Sequence, residues 1–264
     1  MKRSDADTII RVAHAMADAA RAAILPHFRM NDLAAENKLI DGFDPVTIAD
    51  RAAELAMRDI LAKERPYDGI LGEEFGATQG SSGLTWVLDP IDGTRGFISG
   101  TPTWGVLIAV SDENGPIFGI VDQPYVGERF VGGLGVAQMV SRHGERQLTS
   151  RKNKSLKEAV LFTTFPEVGS AEERSSFERV AAEVKLTRYG MDCYAYALIA
   201  CGQVDLVIEA GLNSYDIQAP IAVVEAAGGM VTDWSGDRAH EGGRVLAASN
   251  QRIHQAALEL LQNA

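Results

Sequence analysis

From about residue 155 to the C-terminus, short β-like runs alternate with helical stretches, and this alternation restricts the possible folds more than any other feature of the chain. The runs Ala159–Thr163, Thr187–Tyr189, Leu206–Glu209, Met230–Thr232 and Val245–Ala248 read as strands. Between and after them, Ala171–Val184, Tyr194–Cys201, Ile217–Ala227 and Ile253–Leu261 read as helices. Neither element type can bury its apolar side alone, so such alternation predicts strands sandwiched between helices and an α/β class.

The first part of the chain has a different texture. Residues 5–29 place Ile9, Ile10, Val12, Ala13, Met16 and Ala20 at a 3.6-residue period, which predicts an amphipathic helix. A polar stretch, Met30 to Asp44, leads to Pro45, and Thr47 is a suitable N-cap for a second helix over Ile48–Ala62. Leu55, Met57, Ile60 and Leu61 would form the apolar side of that helix. After Pro66, β-like runs at Gly69–Gly72, Thr85–Leu88, Thr103–Val110, Ile117–Val121 and Arg129–Val140 are punctuated by Gly and Pro, as in a multi-stranded sheet. If the two parts stack, the layers follow the order helix–sheet–helix–sheet–helix, a five-layer αβαβα sandwich. The expected organisation is one unit over residues 1–264, with approximate halves 1–150 and 151–264. There is no internal repeat and no low-complexity segment. A chain of 264 residues can bury enough surface to fold without a disulfide or a structural metal.

Charge narrows the function classes. Asp plus Glu is 36 against 25 Lys plus Arg, a formal net charge of −11 with no basic run, which repels a nucleic-acid backbone. Arg11, His14 and Asp18 interrupt the N-terminal apolar positions at helical spacing, so this segment reads as a helix and not as a signal peptide. No stretch approaches the ~20 apolar residues of a membrane helix. Cys193 and Cys201 fall on one predicted helix, too far apart to bond to each other, and read as two buried thiols. Together these features predict a cytoplasmic protein with no nucleic-acid or membrane partner.

The chemistry concentrates in Trp86-Val87-Leu88-Asp89-Pro90-Ile91-Asp92-Gly93-Thr94. An apolar strand runs into two carboxylates that bracket Pro-Ile. Pro90 fixes φ and should end the ladder, so Asp89 and Asp92 would leave the strand on a rigid loop and converge on one point, with the Ile91 carbonyl facing the same volume. Oxygen ligands of this kind suit Mg²⁺. Gly93 permits close backbone approach to an anion, and Thr94 adds a hydroxyl and an N–H. Asp-Gly-Thr is also ordinary turn chemistry, so this loop alone supports both readings. Glu73 and Glu74 follow another β-like run, where adjacent carboxylates usually form a solvated loop. Asp216, before the helix at 217–227, would serve alone as an N-cap, and Asp50 would favour the dipole of the second helix. Taken together, acids at several element ends would repel one another without a cation.

A covalent nucleophile finds no place. The Asp-x-Asp-Gly-Thr spacing of a phospho-aspartate enzyme is exceeded by one residue, neither cysteine is followed by an arginine six positions on, and Gly-x-Ser-x-Gly is absent. The histidines, at 14, 27, 143, 240 and 254, have no metal-ligand spacing. Metal-activated water is the better candidate.

Gly72-Glu73-Glu74, Asp89-Pro90-Ile91-Asp92-Gly93-Thr94, Tyr215-Asp216-Ile217-Gln218-Ala219 with the later Glu225-Ala226-Ala227-Gly228-Gly229, and Asp44-Pro45-Val46-Thr47-Ile48-Ala49-Asp50 resemble the inositol monophosphatase superfamily in order and spacing, over residues 5–263. The resemblance implies a Mg²⁺-dependent phosphomonoesterase of the αβαβα fold, commonly a homodimer, with two or three Mg²⁺ per active site and a small phosphorylated metabolite as substrate. Thr94-Arg95-Gly96-Phe97-Ile98-Ser99-Gly100-Thr101-Pro102-Thr103-Trp104-Gly105 and Gly190-Met191-Asp192-Cys193-Tyr194-Ala195-Tyr196 are most similar to the histidinol-phosphatase branch, from which Gly96 and Met191 depart slightly. Carried over by position, Glu73, Asp89, Asp92, Asp216 and the Ile91 carbonyl become the metal ligands. Gly93 and Thr94 would hold the phosphate, and Thr94, Asp50 and Glu73 would orient and activate the water. Asp92, Arg95, Asp192, Glu209 and Asp216 would meet the substrate, with Asp192 and Glu209 lining the leaving-alcohol pocket. The resemblance favours hydrolysis of L-histidinol phosphate in histidine biosynthesis. The alternatives are inositol-1-phosphate hydrolysis, a 3′,5′-bisphosphate nucleotidase, and a non-catalytic family member.

Overall fold

The structure, a computed structural model, describes residues 3–30, 35–37, 45–152 and 154–263. Helix α1 (Arg3–Ile24) follows the expected period and buries Ile9, Val12, Ala13, Met16, Ala17, Ala20 and Ile24, while Ile10 is half-buried. The short strands β1 (Ala35–Asn37) and β2 (Pro45–Thr47) pair antiparallel within and just after the expected polar stretch. Asp44 lies outside the described residues. Helix α2 (Ile48–Glu64) starts at the expected cap: Ala49 N donates to Thr47 Oγ1 at 3.1 Å, and Asp50 accepts from Thr47 N at 2.8 Å. These reciprocal bonds satisfy amides that the first helical turn leaves without partners.

The inward face of α2 differs from expectation. Ala49, Asp50, Ala53, Glu54, Met57 and Leu61 are buried, whereas Leu55 is 50% exposed. Leu55 lies two residues beyond Ala53, roughly 200° around the helix, and so points to solvent. Two carboxylates therefore occupy core positions.

The larger sheet comprises β3 (Gly69–Gly72), β4 (Gly76–Thr78), β5 (Thr85–Asp92), β6 (Gly105–Asp112), β7 (Gly115–Gln123), β8 (Glu128–Gly133), β9 (Val136–Ser141) and β10 (Gly144–Gln147), with helix α3 (Thr94–Ser99) between β5 and β6. Its order is β10-β9-β8-β7-β6-β5-β3-β4, and every pair is antiparallel except β3 with β5. The expected single run over Arg129–Val140 is a hairpin, β8 and β9. Leu134 (φ 51°) and Gly135 (φ 84°) reverse the chain with both dihedrals positive, the geometry that matches strand twist in a tight turn. Pro90 does not end β5 either. Pairing with β6 is interrupted between Asp89 and Asp92 and resumes at Asp92 opposite Gly105, so the two acids straddle an irregularity within the strand.

The second sheet contains β11 (Val160–Thr163), β12 (Leu186–Tyr189), β13 (Leu206–Leu212), β14 (Met230–Thr232) and β15 (Gly243–Ala248), in the order β12-β11-β13-β15-β14. Helices α4 (Ala171–Ala181), α5 (Cys193–Ala200), α6 (Ser214–Ala226) and α7 (Gln251–Gln262) accompany it.

Among the described residues, four apolar cores separate five layers. Trp86, Leu88, Val106, Ile108 and Val110 face α1 and α2, whereas the alternate residues Val87, Leu107 and Ala109 face Ala197, Ala219 and Val223 of α5 and α6. The other side of α5 and α6, through Tyr196, Ile199, Ile217 and Val224, packs on Phe162, Val207 and Val245 of the second sheet. The outer face of that sheet is covered by Phe177 and Val180 of α4 and by Ile253, Ala257 and Leu261 of α7. This is the αβαβα sandwich. Helix α6 lies directly on the large sheet: a Cβ on Gly119 or Gly132 would fall 2.6 Å from the Ala219 carbonyl or 2.4 Å from the Ala222 carbonyl. Only glycine admits that approach, and it brings the first turn of α6 towards the end of β5.

Candidate active site

Because β3 and β5 run parallel with Gly72 opposite Leu88, Glu73 and Asp89 emerge side by side at one end of the sheet. Asp89 is almost fully buried, and its Oδ1 accepts from Ile91 N at 3.0 Å, which shapes the irregular segment around Pro90. Asp92 Oδ2 accepts from Cys193 N, the first residue of α5, at 2.6 Å. Asp216 is not the N-cap of α6. Asn213 caps the helix and Asp216 occupies the third helical position, accepting from Asn213 N at 2.6 Å. One carboxylate oxygen from each of Asp89, Asp92 and Asp216 lies within 4.8 Å of the others.

Such proximity is electrostatically costly. Burial first, then Glu73, Asp92 and Asp216, hold the Asp89 carboxyl well above the ordinary range. Asp92 is likewise raised by burial, with Asp192 and Asp216 adding to the effect. An oxygen-only donor set of clustered carboxylates with the adjacent Ile91 carbonyl is the chemistry that Mg²⁺ favours, so these residues fit that ion.

Gly93 (φ 84°) turns the chain into α3, and Thr94 Oγ1 donates to Ile91 O at 3.0 Å while lying 3.5 Å from Asp50 Oδ1. Asp50 is fully buried, and burial raises its carboxyl to about 6 in spite of the two donors from Thr47. It stands behind Thr94 and does not line the cavity.

Asp192 and Glu209 form the opposite wall. Asp192 adopts φ 46° and ψ −142°, a strained backbone for a residue with a Cβ. Its carboxylate crosses Gly93, where a Cβ would lie 2.8 Å from Asp192 Cγ, and accepts from Thr103 Oγ1 at 3.3 Å. Burial raises its pKa, although Thr103 and Arg95 act in the other direction. Glu209, on β13, accepts from Thr164 N at 3.0 Å, Thr164 Oγ1 at 2.5 Å and Tyr196 Oη at 3.1 Å. Burial lifts it to about 7, with Asp192 adding repulsion. On the rim, the Arg95 guanidinium stands 4.9 Å from the centroid of the Phe165 ring.

A cavity of about 280 Å³ joins these walls, lined by Glu73, Asp89, Ile91, Asp92, Gly93, Thr94, Arg95, Asp192, Glu209 and Asp216 among others. Every residue to which the resemblance gives a role is therefore at this cavity except Asp50, one side chain behind it, and Glu74, the other acid after β3, does not line it. Sequence reasoning missed Thr103, Thr164 and Tyr196, which hold the two wall carboxylates. Tyr196 lies within the segment that resembles the histidinol-phosphatase branch, but nothing local marks it as a partner of Glu209. Cys193 is buried and Cys201 only partly so, and both are free thiols. Among the described residues no helix is long and apolar enough to cross a membrane.

Residues 5–264 match the inositol monophosphatase family. The bifunctional phosphatase IMPL2, chloroplastic, of Arabidopsis thaliana is 42% identical, covering 98% of this chain and 76% of the relative. A histidinol-phosphatase of Streptomyces coelicolor is 35% identical over 96% of each chain. Among solved structures, an inositol monophosphatase from Zymomonas mobilis superposes with a TM-score of 0.85 at 38% identity, covering 97% of this chain and 98% of that one. The chain belongs to the inositol monophosphatase family, a family of phosphatases.

Proposed function

We propose that this inositol monophosphatase family member is a Mg²⁺-dependent phosphomonoesterase that hydrolyses L-histidinol phosphate to L-histidinol and phosphate. The observation that carries the substrate choice is the second pair of carboxylates: Asp192 and Glu209 line the same cavity as the Asp89–Asp92–Asp216 cluster. A metal site alone needs no such pair; the two carboxylates can accept from the hydroxyls of any leaving alcohol, but attraction to an ammonium beside the ester requires them. A hydrogen bond to a charged group is worth roughly 1.5–3 kcal/mol, about one to two decades in binding. The similarity to a histidinol-phosphatase over nearly the whole chain supports the same reading.

Glu73, Asp89, Asp92, Asp216 and the Ile91 carbonyl would hold two or three Mg²⁺. Bound there, the metal neutralises phosphate charge and acidifies water. The N–H groups of Gly93 and Thr94 hold phosphate oxygens, and Asp92, Arg95 and Asp216 border the substrate. Thr94 Oγ1, between the Ile91 carbonyl and Asp50, orients the attacking water with Asp50 behind it, and Glu73, which lines the cavity, helps to activate that water. The water oxygen bonds to phosphorus as the ester P–O bond breaks, and the departing oxygen takes up a proton from solvent to leave as the amino alcohol against Asp192 and Glu209.

The site draws Glu73–Arg95 from residues 1–150 and Asp192–Asp216 from 151–264, which supports one functional unit rather than two. We assign the enzyme to the cytoplasm, where its free thiols would remain reduced, and to a homodimer that sedimentation analysis would detect. Inositol-1-phosphate hydrolysis is the second reading, favoured by the similarity to the Zymomonas mobilis enzyme.

The test is a panel of histidinol phosphate, inositol-1-phosphate, adenosine 3′,5′-bisphosphate and an aryl phosphate, with Mg²⁺ and with EDTA. Histidinol phosphate should give the highest kcat/KM among the three metabolites, and Asp192→Asn and Glu209→Gln should narrow that preference more than they slow the aryl ester. Inositol-1-phosphate as the best substrate, or equal losses on all substrates, would overturn the substrate assignment, and full activity in EDTA would overturn the mechanism.

A further inference from the structure

The β3–β4 turn, Glu73 to Phe75, must present one proposed metal ligand, yet it belongs to neither sheet ladder nor helix. Its main-chain donors are accounted for in an uncommon way. Glu73 N donates to Leu88 O at 3.1 Å, but Glu74 N and Phe75 N both donate to one side chain, Glu54, at 2.7 and 3.3 Å. Glu54 is fully buried on α2, one helical turn beyond Asp50 and on the same face. Arg58, a further turn along, donates from Nε to Glu54 Oε1 at 2.8 Å and reaches Gly76 O and Thr78 Oγ1 of β4 with its other nitrogens. The chain also makes room for this carboxylate. A Cβ on Gly72 would lie 1.9 Å from Glu54 Oε1, so only glycine can precede Glu73 with Glu54 in place.

A fully buried carboxylate is costly unless it is paired and hydrogen-bonded. Here its observed partners are the Glu74 and Phe75 amides of the Glu73 turn and Arg58, which ties the carboxylate to β4. The burial is therefore directed at the turn and not at the helix that carries it. We infer that Glu54 is a positioning residue: from α2 it grips the turn amides and sets the direction of Glu73 towards the Asp89–Asp92–Asp216 cluster, with Arg58 and Gly72 completing the grip. Since Asp50 sits on the same helical face, α2 orients both the water-side acid and the loop of a metal ligand.

The inference rests on the proposed role of Glu73, and its test separates the two. Mg²⁺ binding is measured by calorimetry on the wild-type, Glu54→Gln, Arg58→Met and Asp68→Asn proteins, with melting temperatures in EDTA recorded alongside. Asp68 is the matched control. It too is a buried carboxylate held by an arginine, Arg65, and by Trp86 Nε1, but it lies at the opposite end of β3. Glu54→Gln places an amide N–H₂ against donors and should weaken Mg²⁺ binding about tenfold, or ~1.4 kcal/mol. Arg58→Met should weaken it by a smaller factor, about threefold, and saturating Mg²⁺ should restore most of the turnover of both variants. Asp68→Asn should lower the melting temperature and leave Mg²⁺ affinity unchanged. An unchanged affinity in folded Glu54→Gln, or an equal loss in Asp68→Asn, overturns the inference while leaving the metal site standing. No Mg²⁺ binding by the wild-type protein overturns the metal site itself. If Glu54→Gln fails to fold, Arg58→Met decides: its side chain is partly exposed and its loss leaves Glu54 in place, so wild-type Mg²⁺ affinity in that variant refutes the grip.

Discussion

Replacing Glu209 by glutamine should make the stability of this protein less dependent on pH. Glu209 is only 7% exposed, and burial raises its carboxyl from 4.5 to about 7. The folded state therefore retains a proton on Glu209 over a range in which the unfolded chain has lost it. The resulting stabilisation is complete below about 4.5 and disappears as pH rises through about 7. At about 1.4 kcal/mol per pH unit, the interval between the two values corresponds to something on the order of 3 kcal/mol. Glutamine cannot ionise, its Oε1 can still accept from Thr164, and the Tyr196 hydroxyl can turn to accept from its amide. The difference in stability between Glu209→Gln and wild type should therefore shift in favour of the variant by about 3 kcal/mol from pH 5 to pH 8, roughly 5–10 °C in melting temperature for a chain of this size. Thermal melts of both proteins across pH 5–9 in EDTA measure this directly, without metal binding to confuse the comparison. A pH-independent difference, or a variant that gains stability relative to wild type as pH falls, would refute the reasoning. The same substitution should weaken amine-bearing substrates, so one residue links a stability profile to a specificity profile.

Asp89→Asn should raise the melting temperature in EDTA, because it removes a buried charge from a repelling cluster, while turnover falls by orders of magnitude; a loss of both stability and activity would count against the electrostatic account. Mg²⁺ at about a hundred times its Kd should stabilise the protein by roughly 2.7 kcal/mol, and a melting curve indifferent to Mg²⁺ would contradict the metal site. Gly93→Ala combines a positive φ with a Cβ 2.8 Å from Asp192 Cγ, so it should cost about 1–3 kcal/mol and raise KM for amine-bearing substrates. Retained stability and unchanged KM, measured by melting and steady-state kinetics, would show that Asp192 has more freedom than this geometry allows.

Much of this architecture is written in short stretches of sequence. The apolar period of α1, the Thr47 cap of α2 with Asp50 in its first turn, and the alternation of Val106, Leu107, Ile108 and Ala109 between two cores all arise from interactions across a few positions or from strand pleat. The acids after β3 and around Pro90 are likewise visible as chemistry, since their type and spacing need no partner to be recognised. Where local rules failed, a second element had intervened. Pairing with β6 carried β5 past Pro90, the Leu134–Gly135 turn split one apolar run into two strands, and Asn213 displaced Asp216 from the cap of α6.

Glu54 marks the boundary most clearly. Read along the chain, it is an acid on the apolar face of a helix, a position that local patterning disfavours. It makes sense only when the β3–β4 turn delivers two amides to it. The same holds for the site as a whole: Glu73 meets Asp89 because β3 and β5 pair in parallel with Gly72 opposite Leu88, and Asp92 binds the first amide of α5 across 101 residues of chain. Periodicity, capping and ligand chemistry act within single elements and can be read from neighbouring residues. Convergence depends on which strands pair, in which direction and in which register, and those choices follow from burying four cores at once.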